Sequence, residues 1–351
     1  MSPFLLLLPF SRIYGSITDF RNWLYDRNLY SVFYPEVSLI AVGNLTVGGT
    51  GKTPMIEYLI KRYITTRPVG PVDIATLSRG YGRKTKGFRL ATEQDNAETI
   101  GDEPFQLYRK FNPWVTVCVG ERRAEAIRQL QQRQPQTNCV LLDDAFQHRA
   151  VQPHLNILLT DYSRLFYKDH PFPAGRLRER RHGAERADAI VVTKCPDHLP
   201  ETEQAIIKEA IGTYARPGVP IYFAGLRYGT PMSFATQQPI SNVTSVVLAS
   251  GLANADPLED YVRTAFRLIK HHRFSDHHTY TRAEFDKLID SLKSGECLVV
   301  TEKDWVKLDA LLTDQERATL PVYYLPVEIE FLDSYKQDFD RLVDNILLKN
   351  P

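Results

Sequence analysis

Short apolar runs alternate with stretches of helical periodicity along most of the chain from residue 37 onward. Each run is rich in β-branched residues and is bounded by polar or turn residues, which indicates a buried strand. Strands that are apolar on both faces are typical of a parallel sheet covered by helices on both sides. The pattern therefore predicts an α/β fold. The runs are 37–42, 72–77, 115–119, 139–142, 155–159, 189–192 and 221–224.

A polar, turn-rich stretch at 227–242 separates these runs from a second group of elements. Strand patterns return at 243–249, 297–300 and 322–325, and helices are predicted from about 257, from 282 and over 332–348. A length of 351 residues suits roughly two domains. We expect an N-terminal helix at 1–30, a P-loop domain at 31–226, a connection at 227–242 and a smaller α/β domain at 243–351.

The N-terminal segment combines an apolar run at 3–10 with an amphipathic stripe. The run is much shorter than the ~20 apolar residues of a transmembrane helix, and it lacks the features of a secretory signal. Arginines beside the stripe suit a helix that lies in a membrane interface. A helix packed on the core has the same pattern and is the commoner arrangement. The stripe consists of Phe10, Ile13, Tyr14, Ile17, Phe20, Trp23 and Leu24.

Composition excludes several classes of function. The chain has 43 Lys and Arg against 42 Asp and Glu, so its net charge of +1 gives no reason to expect nucleic acid as a partner. With 43% hydrophobic and 24% charged residues, the chain resembles neither a disordered nor a multi-span membrane protein. The four cysteines form no CxxC pair, which disfavours a zinc or redox motif and favours small buried side chains.

The strongest chemical signal is the string TVGGTGKT at 46–53, directly after the first predicted strand. A strand, a glycine-rich loop and a helix in that order are the context of a P-loop, in which backbone amides bind phosphate. Lys52 is expected to reach the β- and γ-phosphates, and the Thr53 hydroxyl to reach Mg²⁺. Thr46 stands where the usual pattern has glycine. We assign nucleotide binding to Thr46, Val47, Gly48, Gly49, Thr50, Gly51, Lys52 and Thr53.

Two aspartates, Asp143 and Asp144, follow the apolar run at 139–142. In P-loop enzymes a carboxylate at a strand tip holds Mg²⁺ or its water. Aspartate ends many strands, so this pair becomes informative only together with the P-loop. The two motifs jointly predict a magnesium-nucleotide site.

Further strings accompany these motifs: GNL at 43–45, SRGYGR at 78–83, GDEP at 101–104, DDAFQH at 143–148, PAGRLRE at 173–179, FSDHH at 274–278 and TEKD at 301–304. In identity and order they resemble those of the tetraacyldisaccharide 4′-kinase family, the lipid A 4′-kinases of Gram-negative bacteria. The resemblance extends from the N-terminal helix to Lys307. Ala145 stands where the family pattern has glycine, and Arg176 where proline is common, but neither departure removes a reactive group.

The resemblance implies transfer of the ATP γ-phosphate to the 4′-hydroxyl of a tetraacylated glucosamine disaccharide 1-phosphate. ATP and Mg²⁺ are the expected cofactors, and this lipid A precursor is the expected partner, with no nucleic acid and no obligate protein partner. The resemblance also implies peripheral attachment to the cytoplasmic face of the bacterial inner membrane. Because such a substrate is anchored in the bilayer, membrane contact becomes the favoured interpretation of the N-terminal helix.

For the base that accepts the hydroxyl proton, the resemblance points to Asp102, with His277 as its partner. The sequence alone could not pair residues so far apart. Asp-Glu-Pro is also typical of a helix start, and the two roles of Asp102 are compatible. His278 is the main competitor of His277. Lys52 completes the catalytic set.

Candidate magnesium ligands are Thr53, Asp143, Asp144 and Glu179, although Asp143 could instead orient the nucleophile. An acidic glycolipid needs hydrogen-bond donors, and we expect these near the carboxyl ends of the parallel strands. Arginine suits phosphate because its guanidinium is a planar fork. A solvated loop residue or a structural hydrogen bond is the alternative for each candidate. The substrate candidates are Asn44, Arg79, Tyr81, Gln147 and His148, with Arg122, Arg123 and Arg178 in second rank.

Two other functions remain open at the level of sequence. One is a different P-loop kinase that acts on a soluble small molecule, and the other is a nucleotide-dependent membrane switch. A candidate base, basic loops and a second domain favour an enzyme over a switch. The string VTKCPD at 192–197 matches the guanine-binding NKxD pattern only loosely, which disfavours a GTPase.

Overall fold

The computed structural model describes residues 3–66, 73–240, 243–276, 278–332 and 335–347. The first elements are α1 (Pro3–Asp26), β1 (Ser38–Asn44), α2 (Lys52–Thr66), β2 (Ile74–Ser78), β3 (Arg89–Leu90), α3 (Ala97–Ile100), α4 (Asp102–Phe111), β4 (Thr116–Val119), α5 (Arg123–Arg133), β5 (Cys139–Asp143), β6 (Leu155–Asp161), β7 (Ala189–Thr193), α6 (Glu201–Gly212) and β8 (Ile221–Tyr228). The remaining elements are β9 (Met232–Ser233), β10 (Ser245–Ser250), α7 (Asp256–Ala265), β11 (Arg267–Arg273), α8 (Arg282–Asp290), β12 (Glu296–Thr301), α9 (Glu302–Asp309), α10 (Asp314–Thr319), β13 (Val322–Leu325), β14 (Val327–Phe331) and α11 (Tyr335–Leu347).

A nine-stranded sheet with the order β14-β8-β7-β6-β1-β5-β2-β4-β3 forms the first domain. Strand β1 lies between β5 and β6 and is parallel to both. The ladders from β2 to β4 and from β6 to β8 are also parallel, whereas the edge strands β3 and β14 are antiparallel. Each of the seven predicted runs supplies one parallel strand, so the predicted P-loop-type α/β sheet is confirmed.

Strand β1 shows why these runs are apolar throughout. Ile40 and Val42 pack against a core that includes Met55 of α2, whereas Leu39 and Ala41 belong to a separate core on the opposite face. Successive side chains of a strand point to opposite faces of the sheet, and helices cover both faces here. Every residue of β1 is therefore buried.

A second, five-stranded sheet has the order β11-β10-β12-β13-β9 and forms the predicted smaller α/β domain. Its four longer strands are parallel, and β9 is antiparallel to β13. One core of this domain, with Phe285 and Trp305, also takes in Ile100 and Phe105 from α3 and α4. The two domains thus share apolar packing at α4.

The chain returns to the first domain at its C-terminal end, which differs from the predicted range of 243–351 for the smaller domain. Strand β14 pairs antiparallel with β8, and α11 places Phe339 and Val343 in the core beside α2. Strand β9, within the predicted connection at 227–242, belongs to the second sheet. In chain order, the second sheet is therefore inserted between β8 and β14. Strand β14 then pairs with the edge of β8 that the first domain leaves open.

Strand β11, with the sequence RLIKHHR, is a partly exposed edge strand that the apolar pattern did not predict. An edge strand with few buried positions has no continuous apolar run to reveal it. The cysteines are all buried, in keeping with the expectation that they serve as small apolar side chains. These are Cys118, Cys139, Cys195 and Cys297.

Candidate active site

The phosphate loop connects β1 to α2 at the carboxyl edge of the first sheet, in the middle of the strand order. Gly48 and Gly51 have φ values of +126° and +83°, which only glycine adopts without strain. The buried Asn44 donates a 2.7 Å hydrogen bond from Nδ2 to Thr50 Oγ1. Thr193 at the end of β7 donates to the Thr50 carbonyl at 2.9 Å. These bonds brace the curved backbone that a P-loop requires.

The segment around Leu177 lies along the start of the phosphate loop. Val47 donates its backbone N–H to the Arg176 carbonyl at 2.8 Å, and Arg178 donates its own to the Leu45 carbonyl at 2.7 Å. Thr46, which replaces the usual glycine, is buried and bridges to Leu177. The PAGRLRE string therefore supports the loop, and it also carries Arg178 to the aspartate pair.

Lys52 and Arg178 both lie beside Asp144. The Lys52 ammonium is 3.7 Å from Asp144 Oδ1, and Arg178 donates to the same oxygen at 2.7 Å. Burial acts to raise the pKa of Asp144, but the two cations outweigh it and hold the pKa below its usual value. Asp144 also has a φ of +50°, which is uncommon for a residue other than glycine. The structure thus joins the P-loop lysine to the predicted strand-end aspartates.

Asp143 occupies a different environment from its neighbour. Its side chain is buried, and its Oδ1 has no hydrogen-bond partner among the described residues. Burial raises the pKa of Asp143, and the nearby charge of Glu103 adds to the shift. A buried, unpartnered carboxylate oxygen next to a phosphate loop fits a hard cation such as Mg²⁺. Thr53, one position after Lys52, lies in the first turn of α2.

Glu179, another predicted metal ligand, is buried and hydrogen-bonded to protein donors through both oxygens. Asn22 of α1 donates to Oε2 at 2.9 Å, while Gln147 and Arg186 donate to Oε1 at 3.0 and 2.6 Å. Gln147 Nε2 also donates to the Asn44 carbonyl at 2.8 Å. Glu179 thus links α1 to the base of the phosphate loop. Its role as a magnesium ligand stays a prediction.

Of the predicted substrate residues, His148 lies within a positively charged region. Burial and the charges of Arg123, Arg21 and Arg79 lower the pKa of His148 to about 4, so its imidazole is neutral at pH 7. Arg79 is exposed on the loop after β2, whereas Arg123 is buried. Tyr81 is 78% exposed. The arrangement suits an anionic substrate.

Asp102 is the first residue of α4, with Gly101 at the N-cap position. The ammonium of Lys307, on α9 of the second domain, lies 2.9 Å from Asp102 Oδ2. His277, the predicted partner of Asp102, lies outside the described residues. Its competitor His278 stacks on Phe274 and has Nε2 3.3 Å from Glu284 Oε1.

Sequence reasoning missed Asn22 and Lys307, which contact the predicted site residues from distant parts of the chain. Lys307 lies one helical turn after Asp304, so the two side chains extend from neighbouring positions of α9. This position does not by itself indicate a contact with Asp102. Within the TEKD string, Thr301 caps α9 and Asp304 accepts the Gly251 N–H at 3.0 Å.

Helix α1 docks through its polar side. Ser11 donates to the Pro171 carbonyl at 2.8 Å and Tyr14 to the Arg178 carbonyl at 3.0 Å, while Asp19 is paired with Arg180. Most of the apolar stripe points into solvent, so α1 does not pack on the core through it. Within the described ranges, no helix has both the length and the apolarity to cross a membrane. The exposed members are Phe10, Ile13, Ile17, Phe20 and Trp23, joined by Leu6 and Leu7.

A phosphate loop after the central strand of a mainly parallel sheet, with a lysine and two strand-end aspartates behind it, defines a P-loop nucleotide-binding enzyme. The model of the LpxK family, described as tetraacyldisaccharide-1-P 4′-kinase, matches residues 3–347. The chain belongs to this family, and it is a kinase of lipid A biosynthesis.

Individual relatives agree with this family. The chain is 40% identical over 342 residues to the tetraacyldisaccharide 4′-kinase of Cytophaga hutchinsonii, covering 95% of this chain and 93% of the relative. It is 38% identical over 362 residues to the enzyme of the same name from Bacteroides thetaiotaomicron, with 98% and 93% covered. The crystal structure of "apo" form LpxK from Aquifex aeolicus in complex with ATP superposes with a TM-score of 0.76 at 27% identity, covering 98% of this chain and 99% of that one.

Proposed function

We propose that the protein transfers the γ-phosphate of ATP to the 4′-hydroxyl of a tetraacylated glucosamine disaccharide 1-phosphate. The observation that carries this proposal is the contact between the phosphate loop and the strand-end aspartates, with Lys52 3.7 Å from Asp144. Positioning and charge neutralisation supply most of the catalysis of phosphoryl transfer, and these residues are suited to both. The loop from Thr46 to Thr53 would hold the β- and γ-phosphates.

Mg²⁺ is the metal that suits this oxygen-rich site. Thr53, Asp143 and Asp144 would hold it, and the unpartnered Oδ1 of Asp143 is the observation that supports this assignment. Bound there, Mg²⁺ would neutralise charge on the phosphate oxygens. The cations Lys52 and Arg178 already compensate Asp144, which leaves the more buried Asp143 as the carboxylate most in need of a counter-ion.

Asp102 is our candidate for the base, with His277 as its expected partner. Asp102 lies at the start of α4, next to Glu103, whose charge acts on Asp143. The N-terminal end of α4 is therefore close to the proposed magnesium site. Asp102 would accept the proton of the acceptor hydroxyl. The oxygen of that hydroxyl bonds to the γ-phosphorus, and the bond from the γ-phosphorus to ADP breaks.

The substrate is an anchored lipid, so we propose that the protein works at the cytoplasmic face of the inner membrane. The exposed stripe of α1 supports this, since Phe10, Ile13 and Ile17 are each at least 60% exposed. A helix with an exposed apolar stripe and flanking arginines is suited to the interface of a bilayer. Arg79, Tyr81 and His148 are the residues we propose for binding the sugar and phosphate groups, since Asn44 is buried and, like Gln147, holds the backbone at the phosphate loop.

The proposal is tested with purified protein, Mg-ATP and tetraacyldisaccharide 1-phosphate in detergent micelles, followed by chromatography of the lipid product. We expect a 4′-phosphorylated lipid from the wild type and almost none from Lys52→Met. A folded, ATP-binding protein that yields no such product would refute the proposal. Equal turnover of an unacylated sugar would identify a soluble-substrate kinase instead, and ATP binding without any turnover a nucleotide switch.

The base assignment has its own test. Asp102→Asn should lower kcat by about 10²–10⁴-fold, because the variant cannot accept a proton. The KM for ATP should change little, because Asp102 is proposed to act on the acceptor hydroxyl and not on the nucleotide. Glu98→Gln is a matched control on the adjacent helix α3, where Glu98 pairs with Lys84 at the surface. Near-normal kcat in Asp102→Asn would exclude this base.

A further inference from the structure

Lys307 connects the proposed base to the second domain. Its side chain is only 9% exposed, and its Nζ lies 2.9 Å from Asp102 Oδ2. The same ammonium donates a 3.0 Å hydrogen bond to the backbone carbonyl of His278. An ammonium group has three donors, and two of them are used here in different directions. Lys307 therefore holds together α4 of the first domain and the loop before α8 of the second.

The helix that carries Lys307 is firmly placed. Thr301 caps its N-terminus, and the fully buried Trp305 stacks on Tyr324 with ring centroids 4.3 Å apart. Asp304 accepts the Gly251 N–H and thereby fixes the first turn of α9 to the end of β10. A charged group on such an element holds its partner more precisely than one on an exposed loop.

Other ion pairs join the same two helices further from Asp102. Arg109 of α4 donates to Asp309 of α9 at 2.7 Å. Lys110 of α4 pairs with Glu302 of α9 and with Glu57 of α2. The interface between α4 and α9 therefore has its own ion pairs for stability. Lys307 differs from them in that its partner is the carboxylate proposed as the base.

We propose that Lys307 is a positioning residue that fixes the side-chain orientation of Asp102 for proton abstraction from the acceptor hydroxyl. Lys307 keeps its own proton throughout: the hydroxyl proton moves to Asp102, the hydroxyl oxygen bonds to the γ-phosphorus, and the bond from that phosphorus to ADP breaks. This inference rests on the proposed role of Asp102. It adds that the second domain contributes to the chemistry of the first through one side chain.

The first experiment compares Lys307→Met, Lys307→Arg and Arg109→Met in the full-length kinase, with Mg-ATP and tetraacyldisaccharide 1-phosphate. Lys307→Met should lower kcat about tenfold to a hundredfold, with the KM for ATP within about twofold, because only orientation of the base is lost. Lys307→Arg keeps a donor for Asp102 and should recover most of kcat. Arg109→Met loosens the same interface and should lower Tm while kcat stays within about twofold.

A double-mutant cycle then tests whether Lys307 acts through Asp102. In the Asp102→Asn background, Lys307→Met should cause no further loss of kcat, because the oriented group is already inactive. Losses that multiply would overturn the inference, and so would a kcat loss in Arg109→Met equal to that in Lys307→Met. If Lys307→Met does not fold, Lys307→Gln replaces it under the same criteria.

The role of Asp102 as the base and the role of Lys307 in positioning it can be refuted separately. Normal kcat in Lys307→Met with a strong loss in Asp102→Asn would overturn the positioning role and leave the base intact. Normal kcat in Asp102→Asn would remove the base, and the inference with it.

Discussion

The side-chain amide of Asn22 donates a 2.9 Å hydrogen bond to Oε2 of Glu179, which connects α1 to a carboxylate buried beside the phosphate loop. The other oxygen of Glu179 accepts from Gln147, and Gln147 in turn donates to the Asn44 carbonyl at the end of β1. The helix with the exposed apolar stripe is thus three hydrogen bonds away from the strand that carries the P-loop.

Asn22→Ala should loosen α1 from the domain. A hydrogen bond to a charged group contributes about 1.5–3 kcal/mol, so amide hydrogens of α1 should exchange roughly tenfold to a hundredfold faster. Hydrogen exchange followed by mass spectrometry measures this. Thr18→Ala is the control, because Thr18 Oγ1 donates only within the helix, to the Gly15 carbonyl. Equal exchange in Asn22→Ala and the wild type would show that this bond does not hold the helix.

Replacing Ile13, Ile17 and Phe20 by serine should abolish binding to phospholipid vesicles. These side chains are 60%, 63% and 61% exposed, so their loss leaves the fold intact. Burying one such side chain in an apolar phase is worth about 1.5–3 kcal/mol, and three together exceed a hundredfold in partitioning. Vesicle sedimentation measures the effect. Ile206→Ser is the control, since Ile206 is equally exposed, at 65%, but belongs to α6 and not to α1. Unchanged binding of the triple variant would place the anchor elsewhere.

Asp143→Asn should stabilise the nucleotide-free protein and impair its use of Mg²⁺. Burial raises the pKa of Asp143, so the unfolded state releases this proton at lower pH than the folded state does. Stability of the wild type is therefore lost as pH rises from the unfolded pKa of about 4 towards the folded pKa, and the variant escapes this loss. Thermal unfolding between pH 4 and 8 measures the first effect. Magnesium titration of activity measures the second, and an unchanged half-saturation would exclude Asp143 as a ligand.

His148→Gln should make the stability of the protein less dependent on pH. The pKa of His148 is about 4 in the folded state, and an unfolded histidine has a pKa of about 6.5. Between these values only the unfolded state binds the proton, so acidification from pH 7 to 5 favours unfolding. The fall in Tm over this range should be smaller in His148→Gln than in the wild type. His198→Gln is a surface control. An identical fall in all three proteins would contradict the low pKa.

The fold was predictable where each element carries its own pattern. Strands such as β1 are apolar at every position because both faces are covered, and the loop from Thr46 to Thr53 is a contiguous string. Strand β11 is polar because it is an exposed edge, so its sequence has no such pattern. The pairing of β14 with β8 depends on which sheet edge is free, a property of the assembled domain rather than of the segment.

The residues of the site also divide into those that local motifs predict and those that only the folded structure brings together. Lys52 and Asp144 follow from local motifs at the ends of neighbouring strands, and the structure brings them together. The contacts of Asn22 with Glu179 and of Lys307 with Asp102 join segments far apart in the chain. A single asparagine or lysine on a helix has no periodicity or spacing that would indicate its distant partner. Only the docking of α1 and α9 reveals these pairs.

Because the second domain is inserted in the chain, the sheet of the first domain cannot be completed until the second domain has been synthesised. Strand β8 ends at Tyr228, but its neighbour β14 begins only at Val327. At ~5–20 residues per second, the ribosome needs roughly 5–20 s to make the intervening segment. During that time the edge of β8 is bare and can pair with another nascent chain. Strand β14, which carries none of the proposed site residues, therefore ends this exposure by pairing with β8.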